Sequence, residues 1–233
     1  MSKRKKHNFG ECAYCGTIGK ITIDHIPPKN LFDCELPLPY NIIKVPSCDL
    51  CHGQNSQVSM DDEYFRLMII MREDTYSHPA VKKIIPKVKR SLANPLKKGM
   101  TKALYKTLRN IELKTPSGLL IGSKFGYTVD PLRLDNVAAR IVKGLFWYER
   151  GYRLPNEYRA ISFSDLGFHS ETDAVKRRVE KQIIYPLASI RPKTIGNNVF
   201  SYRFGYYEDD ANKSAWLLTF FERVYFLCFT LPL

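Results

Sequence analysis

Two Cys-x2-Cys pairs, Cys12 with Cys15 and Cys48 with Cys51, lie in the first quarter of a 233-residue chain, with 32 residues between them. Two thiolates two residues apart reach one ion from a single tight turn, and two such turns complete a tetrahedral site. The spacing predicts one Zn2+ bound by all four sulfurs and a loop tied at both ends. Four thiolates leave no position for water or substrate, so the predicted zinc is structural. It supplies stability that so small a region cannot draw from a core of its own. Cys34 and Cys228 have no partner at comparable spacing and read as small apolar fillers.

The pairing matters because the rest of the composition describes an ordinary folded chain, 44% hydrophobic and 12% aromatic. That excludes disordered, collagen-like and mucin-like classes. No apolar run reaches the roughly 18 residues of a membrane span; the longest, residues 216–221 and 224–233, are separated by Glu222 and Arg223. The basic residues 1–7 are followed by no apolar stretch, which predicts a cytoplasmic protein, where cysteines serve metals or chemistry before disulfides. The net charge of +13 is uneven. Residues 1–75 carry nine Lys/Arg and ten Asp/Glu, residues 76–114 eleven and one, and residues 115–233 sixteen and twelve.

Hydrophobic spacing predicts an α+β protein. Short strands over residues 20–23 and 42–45 flank a Pro-rich loop over 24–40. Ser59 opens a helix whose first turn holds Asp61, Asp62 and Glu63, suiting the helix dipole, with Tyr64, Leu67, Met68 and Met71 on one face. Val81, Ile84, Ile85, Val88 and Leu92 repeat helically, with a break expected at Pro86; Leu104, Leu108 and Ile111 continue the pattern. A hairpin follows over 111–115 and 119–129. Asp135 then caps a helix carrying Val137, Ile141, Val142, Leu145 and Phe146 inward and ending at Gly151. Another helix covers 170–184, and a β-rich aromatic hairpin, 199–207 with 215–229, turns at Asp209, Asp210 and Asn212. This divides into an N-terminal unit over 1–75 and an accessory α+β unit over 76–233.

Inside the loop closed by the cysteines stands Asp24-His25-Ile26-Pro27-Pro28, and His52 follows the last cysteine. Cys-x2-Cys, Asp-His-x-x-Pro, an intervening Asn and Cys-x2-Cys-His together resemble the HNH endonuclease family, whose members fold as a ββα-metal finger. Val45-Pro46-Ser47-Cys48 and Asp61-Asp62-Glu63-Tyr64-Phe65 resemble a bacterial subgroup of that family, and the similarity covers about residues 9–66. The resemblance implies that His25 is the general base on the attacking water, that Asp24 binds a catalytic Mg2+ or Mn2+, and that His52 is a second ligand to that cation. Asn41 matches the middle Asn, with two residues more than the commonest spacing, and Asn55 is the competing candidate for the metal shell. A neutral imidazole near pH 7 can accept the water proton, and a hard cation can take up charge on the phosphate. Adjacent strand residues point to opposite sides, so Asp24 and His25 are expected where the strand gives way to loop at Pro27 and Pro28. His7, His78 and His169 have no companions at ligand spacing and read as surface or core residues.

In the basic middle, Lys82, Lys83, Lys87, Lys89, Arg90, Lys97, Lys98, Lys102, Lys106 and Arg109 interleave with apolar positions. Such a segment can bury one side and offer the other to a phosphate backbone. The expected activity is DNA nicking or cleavage, with RNA an alternative substrate and a phage-defence or mobile-element partner an alternative setting. The competing reading keeps the cysteines and the basic segment but treats Asp24, His25 and His52 as structural, giving a zinc-stabilised nucleic-acid-binding module without activity.

Overall fold

A computed structural model describes residues 8–32, 37–51, 56–93, 106–164 and 172–233. The protein is mixed α and β, with three antiparallel sheets among the described residues. Strands β1 (Asn8–Glu11), β2 (Ile18–Ile26) and β3 (Ile43–Ser47) form the first, in the order β1-β2-β3. Strand β2 runs three residues past its expected end, so Asp24 and His25 lie within the strand, opposite Val45 and Lys44, and not in a loop. The β-branched run Ile21-Thr22-Ile23 favours that extension, and Pro27, without an amide to donate, stops it. A 3-10 turn, Lys29–Phe32, then buries Leu31 and Phe32.

Helix α1 (Ser56–Ile70) starts three residues before Ser59. Asp61, Asp62 and Glu63 therefore fall in its second turn, and the expected first-turn dipole role is corrected. Asp61 and Asp62 instead dock α1 onto another helix. Helix α2 (Pro79–Ala93) runs through Pro86 without the expected break. Pro86 sits on the solvent side, where the carbonyl deprived of its amide partner can be hydrated, while Val81, Ile84 and Val88 are buried. His78 caps α2, its Nδ1 accepting from the N–H of Ala80 at 3.2 Å.

The predicted hairpin is present as β4 (Arg109–Lys114) and β5 (Leu120–Gly126). Helix α3 (Pro131–Arg150) is capped by Asp130, whose Oδ1 accepts from the N–H of Arg133 at 3.3 Å, and not by Asp135. Asp135 lies one turn inside and accepts from Ser164 N at 2.9 Å and Ser162 Oγ at 3.3 Å, tying α3 to strand β6 (Tyr158–Ser164). Burial pushes its carboxyl up to about 6, against those two hydrogen bonds. Gly151 ends α3 as expected, at φ 75°.

The remaining chain makes a helical segment, α4 (Asp173–Val179), a π turn (Glu180–Ile184) and α5 (Tyr185–Ser189), followed by β7 (Lys193–Ile195), β8 (Phe200–Tyr207), β9 (Asp210–Phe220) and β10 (Val224–Pro232). The expected single strand over 215–229 is two, because the chain reverses at Phe221 and Glu222, both at positive φ (49° and 62°). Phe221 is held in that costly conformation by full burial and by the edge of its ring against His78. The five-stranded sheet runs β6-β10-β9-β8-β7. One face gives Tyr202, Trp216, Leu218, Phe220 and Phe226 to the main core; the other gives Ala215, Leu217 and Leu227 to a small core under α4 and α5. The main core continues through Phe65 of α1, 5.2 Å from Phe220 and 5.4 Å from Phe226, to Ile26, Leu31 and Ala13. The segments on either side of residue 75 share it.

Candidate metal centre

The first cysteine knuckle is a turn at the end of β1. Gly16 N–H donates to Cys12 O at 2.9 Å, and Cys12 N–H to Thr17 O at 3.0 Å. Gly16 adopts φ 76°, a left-handed conformation that favours glycine. The second knuckle follows β3, with Cys51 N–H donating to Cys48 O at 3.1 Å. Pairing of Thr22 with Ser47, and a 2.9 Å bond from Ala13 N–H to Pro46 O, bring the knuckles together.

All four sulfurs lie within 4.8 Å of one another, and Cys15 Sγ is 3.7 Å from Cys48 Sγ. Sulfurs about 2.3 Å from a tetrahedral ion are separated by roughly 3.8 Å, whereas a disulfide requires about 2.05 Å. The donors therefore fit an ion such as zinc and can hold it. Burial pushes the Cys48 and Cys51 thiols up. At Cys15 burial also opposes ionisation, but hydrogen bonding with Thr17 outweighs it and brings the thiol down to about 6. A cation among the four would favour the thiolate at each. Cys228 is fully buried and its thiol is pushed up to about 12 by that burial, as suits an inert core residue. Cys34 lies outside the described residues.

The first knuckle also reaches the Asp24 carboxylate. Tyr14, between Cys12 and Cys15, donates its hydroxyl to Asp24 Oδ2 at 2.8 Å, and Oδ1 accepts the N–H of His25 at 2.8 Å. Burial, then the charge of Asp24, pushes the Tyr14 hydroxyl well up, so it remains a donor. Beside them Arg140 of α3 pairs with Asp62 of α1, and Arg133, two turns earlier, pairs with Asp61 at 2.6 Å. Burial pushes the Asp62 carboxyl up to about 7 against the pull of Arg140, with the charge of Asp24 adding to the rise. Asn30 donates to Asp62 O at 3.1 Å. Gly144 lets α3 lie on β2, because a Cβ there would collide with Ile26 Cδ1. The sequence does not announce Tyr14, Asp62 and Arg140 as parts of this site, although Tyr14 lies between two of the cysteines and Asp62 within the acidic run Asp61-Asp62-Glu63.

His25 alternates to the other face of β2 from Asp24. Strand β1 pairs with β2 only as far as Ile21, so among the described residues β2 is flanked at Asp24 and His25 by β3 alone. Asn41, matched to the middle Asn, donates its Nδ2 to Thr194 O of β7 at 2.8 Å. His52, Asn55, Lys97, Lys98 and Lys102 lie outside the described residues, as do His7 and His169. Lys82, Lys83, Lys87, Lys89 and Arg90 are exposed on α2, Lys106 is exposed, and Arg109 is exposed on β4. No helix of the described residues is long and apolar enough to cross a membrane. Compared with protein-family models, curated proteins and solved structures, the chain matches none.

Proposed function

We propose that the protein is a metal-dependent endonuclease of the HNH type, hydrolysing DNA phosphodiester bonds, with zinc as the structural ion of the four cysteines. The observation that carries this reading is the link from Tyr14 to Asp24: the cysteine knuckle holds the carboxylate that precedes His25 on the strand. The order β2, β3, α1 with a four-cysteine cluster at its base supports a ββα finger. In this reading His25 takes the proton of the attacking water. Asp24 and His52 hold a divalent cation such as Mg2+ or Mn2+, with Asn55 the further candidate ligand. When bound, that cation supplies Lewis-acid stabilisation of charge on the phosphate. The exposed cations of α2, with Lys106 and Arg109, grip the DNA backbone.

Supercoiled plasmid incubated with the purified protein tests the reading. Nicked or linear product is expected with added Mg2+ or Mn2+ and none with chelator. Salt-sensitive DNA binding without cleavage in any divalent cation, by protein that retains its zinc, would leave the non-catalytic module as the function.

Tyr14→Phe removes the hydroxyl that orients Asp24 and nothing else of the ring. Losing a group that positions a metal-binding side chain typically costs about 10–100-fold in metal affinity. The variant is expected to need at least tenfold more Mn2+ for half-maximal cleavage, at unchanged zinc stoichiometry. An unchanged Mn2+ titration would remove Tyr14 from the cation site.

A further inference from the structure

The last half of the chain holds a second basic surface. Residues 172–193 contain six Lys/Arg against two Asp/Glu, while the rest of 115–233 is balanced at ten and ten. Most of that excess lies on α4, the π turn, α5 and the short link to β7; Lys193, counted with them, opens β7 and pairs with Glu149 at 2.6 Å. Val179, Ile183, Ile184 and Leu187 face the sheet, packed with Ala215, Leu217 and Leu227. The π turn admits one extra residue and keeps Val179 and the Ile183-Ile184 pair on the same side. Arg177, Arg178 and Lys181 are left exposed, with Arg191 just beyond. Their charges are not spent on carboxylates among the described residues. Arg177 Nε donates to Asp173 O at 3.3 Å and Arg178 Nε to the neutral Gln182 Oε1 at 3.3 Å.

A basic amphipathic helix suits a membrane surface when its apolar side is free to insert. Here that side is occupied by the sheet, so only the cationic side is on offer. Exposed guanidinium and ammonium groups without carboxylate partners match a regularly spaced row of phosphates, which gains from releasing its condensed counterions. We propose that the α4–α5 segment is a second contact for the DNA backbone, separate in sequence from the basic residues of α2. The choice of DNA rests on the nuclease reading; the surface itself does not.

The test neutralises Arg177→Gln, Arg178→Gln and Lys181→Gln together in the full chain. Binding to a labelled random-sequence duplex is read by fluorescence anisotropy across a salt series, with divalent cation omitted. Loss of three phosphate contacts should lower the slope of log affinity against log salt by roughly two to three, and weaken binding roughly tenfold or more near 0.1 M salt. Zinc content and Tm should be unchanged. Affinity and slope equal to wild type would overturn the proposal, and so would a variant that binds DNA normally but has lost affinity for poly-glutamate, since the partner would then be an acidic protein. A wild-type protein whose binding depends on these three residues but which never cleaves would sink the nuclease reading and leave this contact standing.

Discussion

His25→Ala is expected to lower Mg2+- or Mn2+-dependent plasmid cleavage by about 10²–10⁴-fold, the usual contribution of a positioned general base. His25 is partly exposed on the flank of β2, and its backbone, not its ring, carries the pairing with Lys44 and the bond to Asp24 Oδ1. Truncation therefore leaves the sheet and the four sulfurs in place. Zinc stoichiometry and Tm should stay at wild-type values while the rate collapses. Cleavage at the wild-type rate would show that another group activates the water.

Cys48→Ser should act through the opposite route. Cys48 is buried and its sulfur stands 3.7 Å from Cys15 Sγ, so its loss opens the tetrahedron on its inner side. Structural zinc contributes about 10–16 kcal/mol to small finger peptides, against a total stability of about 5–15 kcal/mol for a whole domain. The variant should lose its zinc, by elemental analysis, together with most of its thermal stability, and cleavage should fall because folded protein is scarce. A variant that kept one zinc per chain and the parental Tm would mean the four sulfurs do not share an ion. The two substitutions separate chemistry from architecture: one removes rate without zinc, the other zinc and rate together.

The cysteine spacing made the metal centre legible because ligand geometry at a two-residue interval is almost independent of what surrounds it. The Asp24-His25 pair was visible as a motif, but its backbone was not. β-branched residues before it carried the strand past the expected loop, and only the prolines ended it. Asp61 to Glu63 looked like first-turn acids because Ser59 resembles a cap; Glu63 pairs locally with Arg66, but the partners of Asp61 and Asp62, Arg133 and Arg140, are more than 70 residues away, and no local pattern announces them. The same limit hid the reversal at Phe221 and Glu222, where full burial holds Phe221 in a conformation that Gly or Asn would ordinarily supply. Tyr14 was visible as a residue between two cysteines, yet its reach to Asp24 depends on how the knuckle folds back across β2.

The aromatic contacts of Phe65 with Phe220 and Phe226, together with the bond from Asn41 to Thr194, bear on how this protein can be dissected. A finger excised at residue 75 would leave its central helix with a bare apolar flank and no floor beneath it. The N-terminal segment is thus not a cassette to be transplanted onto another scaffold: its last structural layer is written at the far end of the chain.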